Sequence, residues 1–161
     1  MTAGPTTDAA ICVGCGLCCD GTLYDIGKLT EDEELSPRAA DLHLRTVGDR
    51  RYFRQPCRFH NCGRCSIYEE RWTVCRTFRC ALLRRYQAGE IHLADARSLI
   101  EQARGLVDAV AASDRNSVGV VGRRRVRRQL ADQLERGIAR DKESTGRRLI
   151  DIIALDIFLD R

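Results

Sequence analysis

Nine cysteines in a chain of 161 residues fall into two dense segments, and none occurs after Cys80. Cys12, Cys15, Cys18 and Cys19 make a C-x2-C-x2-C-C run, while Cys57, Cys62, Cys65, Cys75 and Cys80 follow as C-x4-C-x2-C-x9-C-x4-C. Thiols this crowded point to metal, because zinc and iron–sulfur clusters both want about four thiolates converging on one point. The chain is long enough to bury a core without covalent staples, and an odd number of cysteines cannot be fully paired. A disulfide framework is therefore not the expectation. The first eleven residues lack the basic start and apolar run of a signal peptide. The most apolar stretch, Leu149 to Leu159, is interrupted by Asp151 and Asp156 and is too short to span a bilayer. These features predict a cytoplasmic protein, with no membrane association, whose thiols stay reduced.

Within the first segment, the two C-x2-C steps let neighbouring thiolates reach one metal from a single loop. Gly14 and Gly16 allow that loop to curl. Side chains of adjacent residues diverge, so Cys18 and Cys19 are expected to face different centres or to bridge two nearby ones. Cys75 and Cys80 are five apart and would point about 140° away from each other on an unbroken helix. They therefore belong to different sites, or one of them lies in a loop.

The run Cys12-Val13-Gly14-Cys15-Gly16-Leu17-Cys18-Cys19 resembles the signature of the CxxCxxCC (YkgJ-type) cysteine-cluster family, described as zinc- or iron-chelating proteins. Further on, Cys65-Ser66-Ile67-Tyr68-Glu69-Glu70-Arg71 and then Cys75-Arg76 are similar to the family's C-x-I-Y-E-x-R-P-x-x-C-R block, with Cys57 matching a preceding family cysteine. Two departures stand out. Trp72 occupies the usual proline position, and Cys62 is an extra thiol. The resemblance implies a metal site built from Cys12, Cys15, Cys18, Cys19, Cys57, Cys65 and Cys75, with Cys80 as the natural eighth ligand. Flagellin lysine methylases are similar to the motif too, which brings an association with protein modification.

Eight thiolates divide evenly into two sites of four. His60 lies close enough to Cys57 and Cys62 to replace one of them, although a histidine in a polar loop is ordinarily solvated. Thiolate softness suits both metals. The three-cysteine loop favours an iron–sulfur cluster, whereas C-x2-C pairs drawn from separated segments favour zinc or iron ions. A site of four thiolates would be structural; one short of a protein ligand could bind substrate.

The net charge of +4 conceals a pattern. Residues 1–49 carry −6, 50–85 carry +8, 86–122 carry −2 and 123–161 carry +4. The basic block coincides with the second cysteine segment, and ten arginines there could offset the field of clustered thiolates. The alternative is a surface for nucleic acid or an acidic partner, in a metal-stabilised binding module. Arg123, Arg124, Arg125, Arg127 and Arg128 form a second basic cluster, read here as a solvated helix face.

The expected fold is mostly α. An irregular, metal-organised, cysteine-rich N-terminal half (residues 1–88) would pack on a helical extension (residues 89–161). Thr30 and Glu33 form a capping-box pattern, and Ser36-Pro37 starts a short helix over about 38–47 that Gly48 stops. The acidic run Glu31 to Glu34 reads as a solvated, dipole-favoured helix start and not as a carboxylate site. Residues 50–72 read as loop and 73–86 as helix. The clearest helix is 94–112, with Ala96, Leu99, Ile100, Ala103, Val107 and Val110 on one face. Residues 114–122 are a candidate hinge, 123–143 a helix interrupted near Thr145-Gly146, and 147–159 a final apolar helix. No Ser–His–Asp order, paired carboxylate or phosphate loop is present. The function expected is metal binding, for electron transfer, metal handling, or as the cofactor-bearing part of an enzyme acting on a protein or peptide partner.

Overall fold

The computed structural model describes residues 7–113 and 118–160. They divide into two compact units, Met1–Ser98 and Leu99–Arg161, with the boundary inside one helix.

The first unit is organised around a small sheet. Strand β3 (Arg50–Arg54) pairs antiparallel with both β1 (Ile26–Lys28) and β2 (Leu44–Val47), in the order β1-β3-β2. Period-two alternation turns Phe53 inward, where it is 0% exposed. Gly27 lies directly across from it, and a Cβ there would collide with the Phe53 ring. Leu29, Ala39, Leu42, Cys57 and Trp72 complete this core. Cys19, Phe59, Ile67, Val74 and Cys75 pack around its edge. A second hairpin joins β4 (His60–Asn61) to β5 (Arg64–Cys65). Its two-residue turn has both central residues in the left-handed region, Cys62 at φ +47° and Gly63 at φ +78°. That is what a type I′ turn demands, and it leaves Cys62 exposed at the tip.

Two sequence expectations fail here. No helix covers 38–47: Pro37–Asp41 forms a short 3-10 turn, Leu42 is extended, and β2 follows. The segment expected to be loop contains β3, β4 and β5. Ladder pairing between β2 and β3 outweighs the weak local helix pattern, and Gly48 at φ +60° serves the hairpin turn between them.

The capping box at Thr30 is present, opening the short helix α2 (Glu31–Glu34); the preceding α1 is Thr7–Cys12. The helix expected over 73–86 is broken into α3 (Thr73–Thr77) and α4 (Ala81–Gln87). Phe78 is extended, and Cys80 caps α4 by accepting a hydrogen bond at Sγ from the Leu83 amide, 3.4 Å away.

The remaining elements are long helices, as expected. Helix α5 (Leu93–Ser113) buries Ala96, Ile100, Ala103, Val107 and Val110 along one stripe. In the second unit α6 (Val120–Glu135) and α7 (Lys142–Leu159) pack as an antiparallel pair, with Arg123 near the start of one beside Asp156 near the end of the other. Two details differ from expectation. Helix α6 ends at Glu135, and Gly137 follows at φ +67°. Helix α7 runs without interruption through Thr145 and Gly146. The hinge expected at 114–122 lies partly outside the described residues; Val118 and Gly119 lead directly into α6.

Candidate metal centre

The two cysteine segments are folded against each other. The Cys57 amide donates to the Cys19 carbonyl at 2.7 Å. Gly16, at φ +74°, abuts the β4–β5 hairpin so closely that a Cβ would sit 2.7 Å from His60 Nε2 and 2.8 Å from Gly63 Cα. No disulfide joins any of the nine cysteines among the described residues. Helix α1 delivers Cys12, a turn closed by the Cys15 amide to the Cys12 carbonyl delivers Cys15, and the Cys19 amide bonds back to Gly16.

The thiols sort into two sets by the charges they feel. Burial, with repulsion from Cys80, Cys12 and Asp20, outweighs an amide hydrogen bond from Leu17 and pushes Cys15 up to about 11. Cys18 is raised by burial and then by Cys15, Cys80, Cys19 and Cys12. Its neighbour Cys19 is pushed up to about 12 by burial and then by Cys65, Cys75, Cys57 and Asp20. Cys75 rises to about 11 through burial and the thiols of Cys57 and Cys65, against lowering by Tyr24 and Arg71. Cys57 is raised by burial and by Cys65, against lowering by the Phe59 backbone. Cys12, Cys15, Cys18 and Cys80 thus form one set, and Cys19, Cys57, Cys65 and Cys75 the other. The adjacent pair Cys18–Cys19 belongs to both, one thiol each. The break between α3 and α4 parts Cys75 from Cys80 in the same way.

Cys62 lies in neither set. His60 lies between β4–β5 and Gly16, where its Nε2 accepts the Gly63 amide at 3.1 Å, so that nitrogen is occupied in closing the hairpin. Of the ten arginines in residues 50–85, Arg71 acts on a thiol by charge. Arg76, Arg79 and Arg84 instead brace the segment between Cys75 and Cys80, through Thr73 Oγ1 and the carbonyls of residues 76, 78 and 79.

Three residues that the sequence does not assign to the site shape it. Tyr24 places its hydroxyl 3.9 Å from Cys75 Sγ and meets the Phe78 ring edge-on at 5.1 Å. Burial and then Cys75, Cys18 and Cys19 raise it far above the usual phenol range, so it stays protonated. Trp72, at the position the resemblance gives to proline, holds φ −52°, a value proline itself adopts, and fills the core between Phe53 and Phe59. Glu33 uses both carboxylate oxygens. Oε2 accepts the Thr30 amide at 3.0 Å, and Oε1 accepts the Thr73 amide at 2.6 Å, forty residues away at the start of the Cys75 helix. The expectation that the acidic run is merely solvated is corrected by that bond. No local pattern marks Tyr24 or the reach of Glu33, because both contacts are made across the fold.

The donor chemistry fits zinc or iron. Several buried or half-buried thiols whose ionisation is opposed by burial and by one another gain from a cation that neutralises them together. As they stand, no three His, Cys, Asp or Glu side chains among the described residues form a grouping that could hold a metal ion. No helix among the described residues is long and apolar enough to cross a membrane. No curated protein and no solved structure matches the chain. A family model, CxxCxxCC, a putative zinc- or iron-chelating domain, matches residues 11–98 and so takes in every cysteine of both sets. The chain belongs to this zinc- or iron-chelating CxxCxxCC family.

Proposed function

We propose that the chain is a cytoplasmic metalloprotein with two thiolate-bound centres, one held by Cys12, Cys15, Cys18 and Cys80, the other by Cys19, Cys57, Cys65 and Cys75. What supports this reading is that Cys15, Cys80 and Cys12 bear on Cys18 whereas Cys65, Cys75 and Cys57 bear on Cys19, with the Cys57 amide bonded to the Cys19 carbonyl at 2.7 Å. The first set, three cysteines of one loop plus a distant fourth, suits an iron–sulfur cluster; the second, gathered from four places in the chain, suits zinc or iron. When bound, a cluster supplies one-electron transfer and a four-thiolate zinc supplies structure. Around these centres the chain's own residues supply donors. The Leu83 amide bonds Cys80 Sγ, and the Tyr24 hydroxyl reaches Cys75 Sγ. Such outer contacts orient ligands and set their basicity. With four thiolates at each centre, this reading favours electron transfer or metal handling over a role in which a vacant coordination position takes substrate.

The test is metal and sulfide content, with an ultraviolet–visible spectrum, on protein prepared without oxygen. Cys18→Ser and Cys19→Ser should each remove a different centre and spare the other. Colourless protein with zinc alone removes the cluster. Wild-type protein lacking both metals, or two serine variants with the same residual metal, overturns the two-centre reading.

A further inference from the structure

The sheet of the first unit has a face that the thiol sets do not use. Because Phe53 points into the core, Arg50, Tyr52 and Arg54 of β3 point the other way. Register places Lys28 of β1 and Arg45 of β2 on either side of Tyr52, in one cross-strand row. Val47 lies opposite Arg50, and Ile26 opposite Arg54. Lys28, Arg45, Arg50 and Arg54 are all exposed, while Tyr52 is half-buried at their centre. None of the three strands contributes a carboxylate. None of these four cations is ion-paired among the described residues, although Arg38, Arg51 and Arg85 nearby in sequence all are. Like charges gathered on one face without acids repel one another, so the face is complementary to an anionic ligand.

Its dimensions narrow the ligand. Adjacent strands are about 4.8 Å apart, so the Lys28 and Arg45 positions flank the Tyr52 position at about 10 Å separation; Arg50 and Arg54 stand roughly 13 Å apart along β3. An aromatic ring ringed by cations at these distances offers a stacking surface for one base and charges for the phosphates on either side of it. An acidic polypeptide would use the charges and leave the ring unexplained. The α6 arginines are a poorer candidate. Arg123 is 5% exposed and ion-paired to Asp156 at 2.7 Å, and Arg127 reaches the same carboxylate at 3.0 Å.

We infer that the outer face of the β1-β3-β2 sheet binds single-stranded nucleic acid, with a base on Tyr52 and phosphates at Lys28, Arg45, Arg50 and Arg54. The inference is independent of the metal centres.

The experiment is fluorescence anisotropy of a labelled twelve-nucleotide oligo(U) titrated with the full chain at several salt concentrations. Four phosphate contacts on a single strand give a log–log salt slope of about −2.8, an affinity loss of about fifty-fold between 50 and 200 mM. Tyr52→Leu should weaken binding at least about five-fold, the lower bound for one stacked base. Should that variant fold poorly, Lys28→Gln and Arg45→Gln on the exposed surface carry the test, each reducing the slope by about 0.7. Exchanging Arg124, Arg125 and Arg128 of α6 for glutamine should change nothing. The inference is overturned by absent saturable binding at 50 mM salt, by losses that follow the α6 variants, or by polyglutamate competing as well as oligo(U) with no effect of Tyr52→Leu.

Discussion

Replacing Glu33 by alanine should destabilise the first unit by about 2 kcal/mol and loosen the Cys75 turn in particular. The magnitude follows from two contacts. In the capping box the Glu33 carboxylate accepts the Thr30 amide, and losing that bond costs about 1 kcal/mol, while the bond from the residue-33 amide to Thr30 Oγ1 survives in alanine. The bond from the Thr73 amide caps α3, whose own N-cap residue, Trp72, offers no side-chain acceptor; its loss costs about another 1 kcal/mol. Glu33→Gln keeps one acceptor oxygen and should lose roughly half as much. Acid supplies a second arm. Burial alone would raise the Glu33 carboxyl, but the amide bonds from Thr30 and Thr73 together prevail and hold it below the usual carboxylate range. A carboxyl lowered on folding contributes stability that is present above its unfolded value and lost as pH falls through the folded one. The Ala variant should therefore show a shallower stability loss below about pH 4.3 than the wild type. Urea unfolding followed by circular dichroism, at pH 7 and at stepped acid pH, measures both. An alanine cost under about 0.5 kcal/mol, with an unchanged acid profile, would refute the argument.

Three further outcomes are expected. Gly16→Ala should cost more than about 2 kcal/mol and reduce metal uptake, because φ +74° strains alanine and its Cβ would press on Gly63 backbone; chemical denaturation and metal content read both. Asp156→Ala should cost about 3 kcal/mol by leaving the buried Arg123 charge uncompensated, whereas Arg127→Ala at the more exposed end of the same pair should cost under about 1 kcal/mol by thermal or urea unfolding. With Cys15 and Cys75 near 11 and Cys19 near 12, these three thiols are protonated at neutral pH without metal, so metal uptake should release protons and its apparent affinity should rise from pH 6 to pH 8. The same shifts predict that metal-free protein loses stability as pH rises above about 8.5 toward those values, and a flat profile in chelator competition and in alkaline unfolding would contradict both statements.

Residues close in the chain made much of this protein readable. The thiol spacings and the Cys18–Cys19 adjacency are local geometry, and so are the Thr30–Glu33 box and the stripe from Ala96 to Val110. Each depends on dihedral angles and on a helical or loop period that a few neighbouring residues set. What local pattern could not decide was the strand character of 44–47 and 50–54. A β ladder gains its hydrogen bonds from partners elsewhere in the chain, and β1 lies some twenty residues before β3.

Tertiary structure alone placed Cys57 beside Cys19 and set Cys80 beyond the break in the helix that carries Cys75, because those placements depend on where the chain turns at Gly16 and at Phe78. It also gave Glu33 its second helix, removed Arg123 from the surface and aligned Lys28, Tyr52 and Arg45 in one row. The amino-acid order by itself determined that sulfur would dominate the chemistry of this chain. The meeting of the two sulfur-bearing segments, and the assembly of a cationic sheet face, needed the close approach of segments that only folding creates.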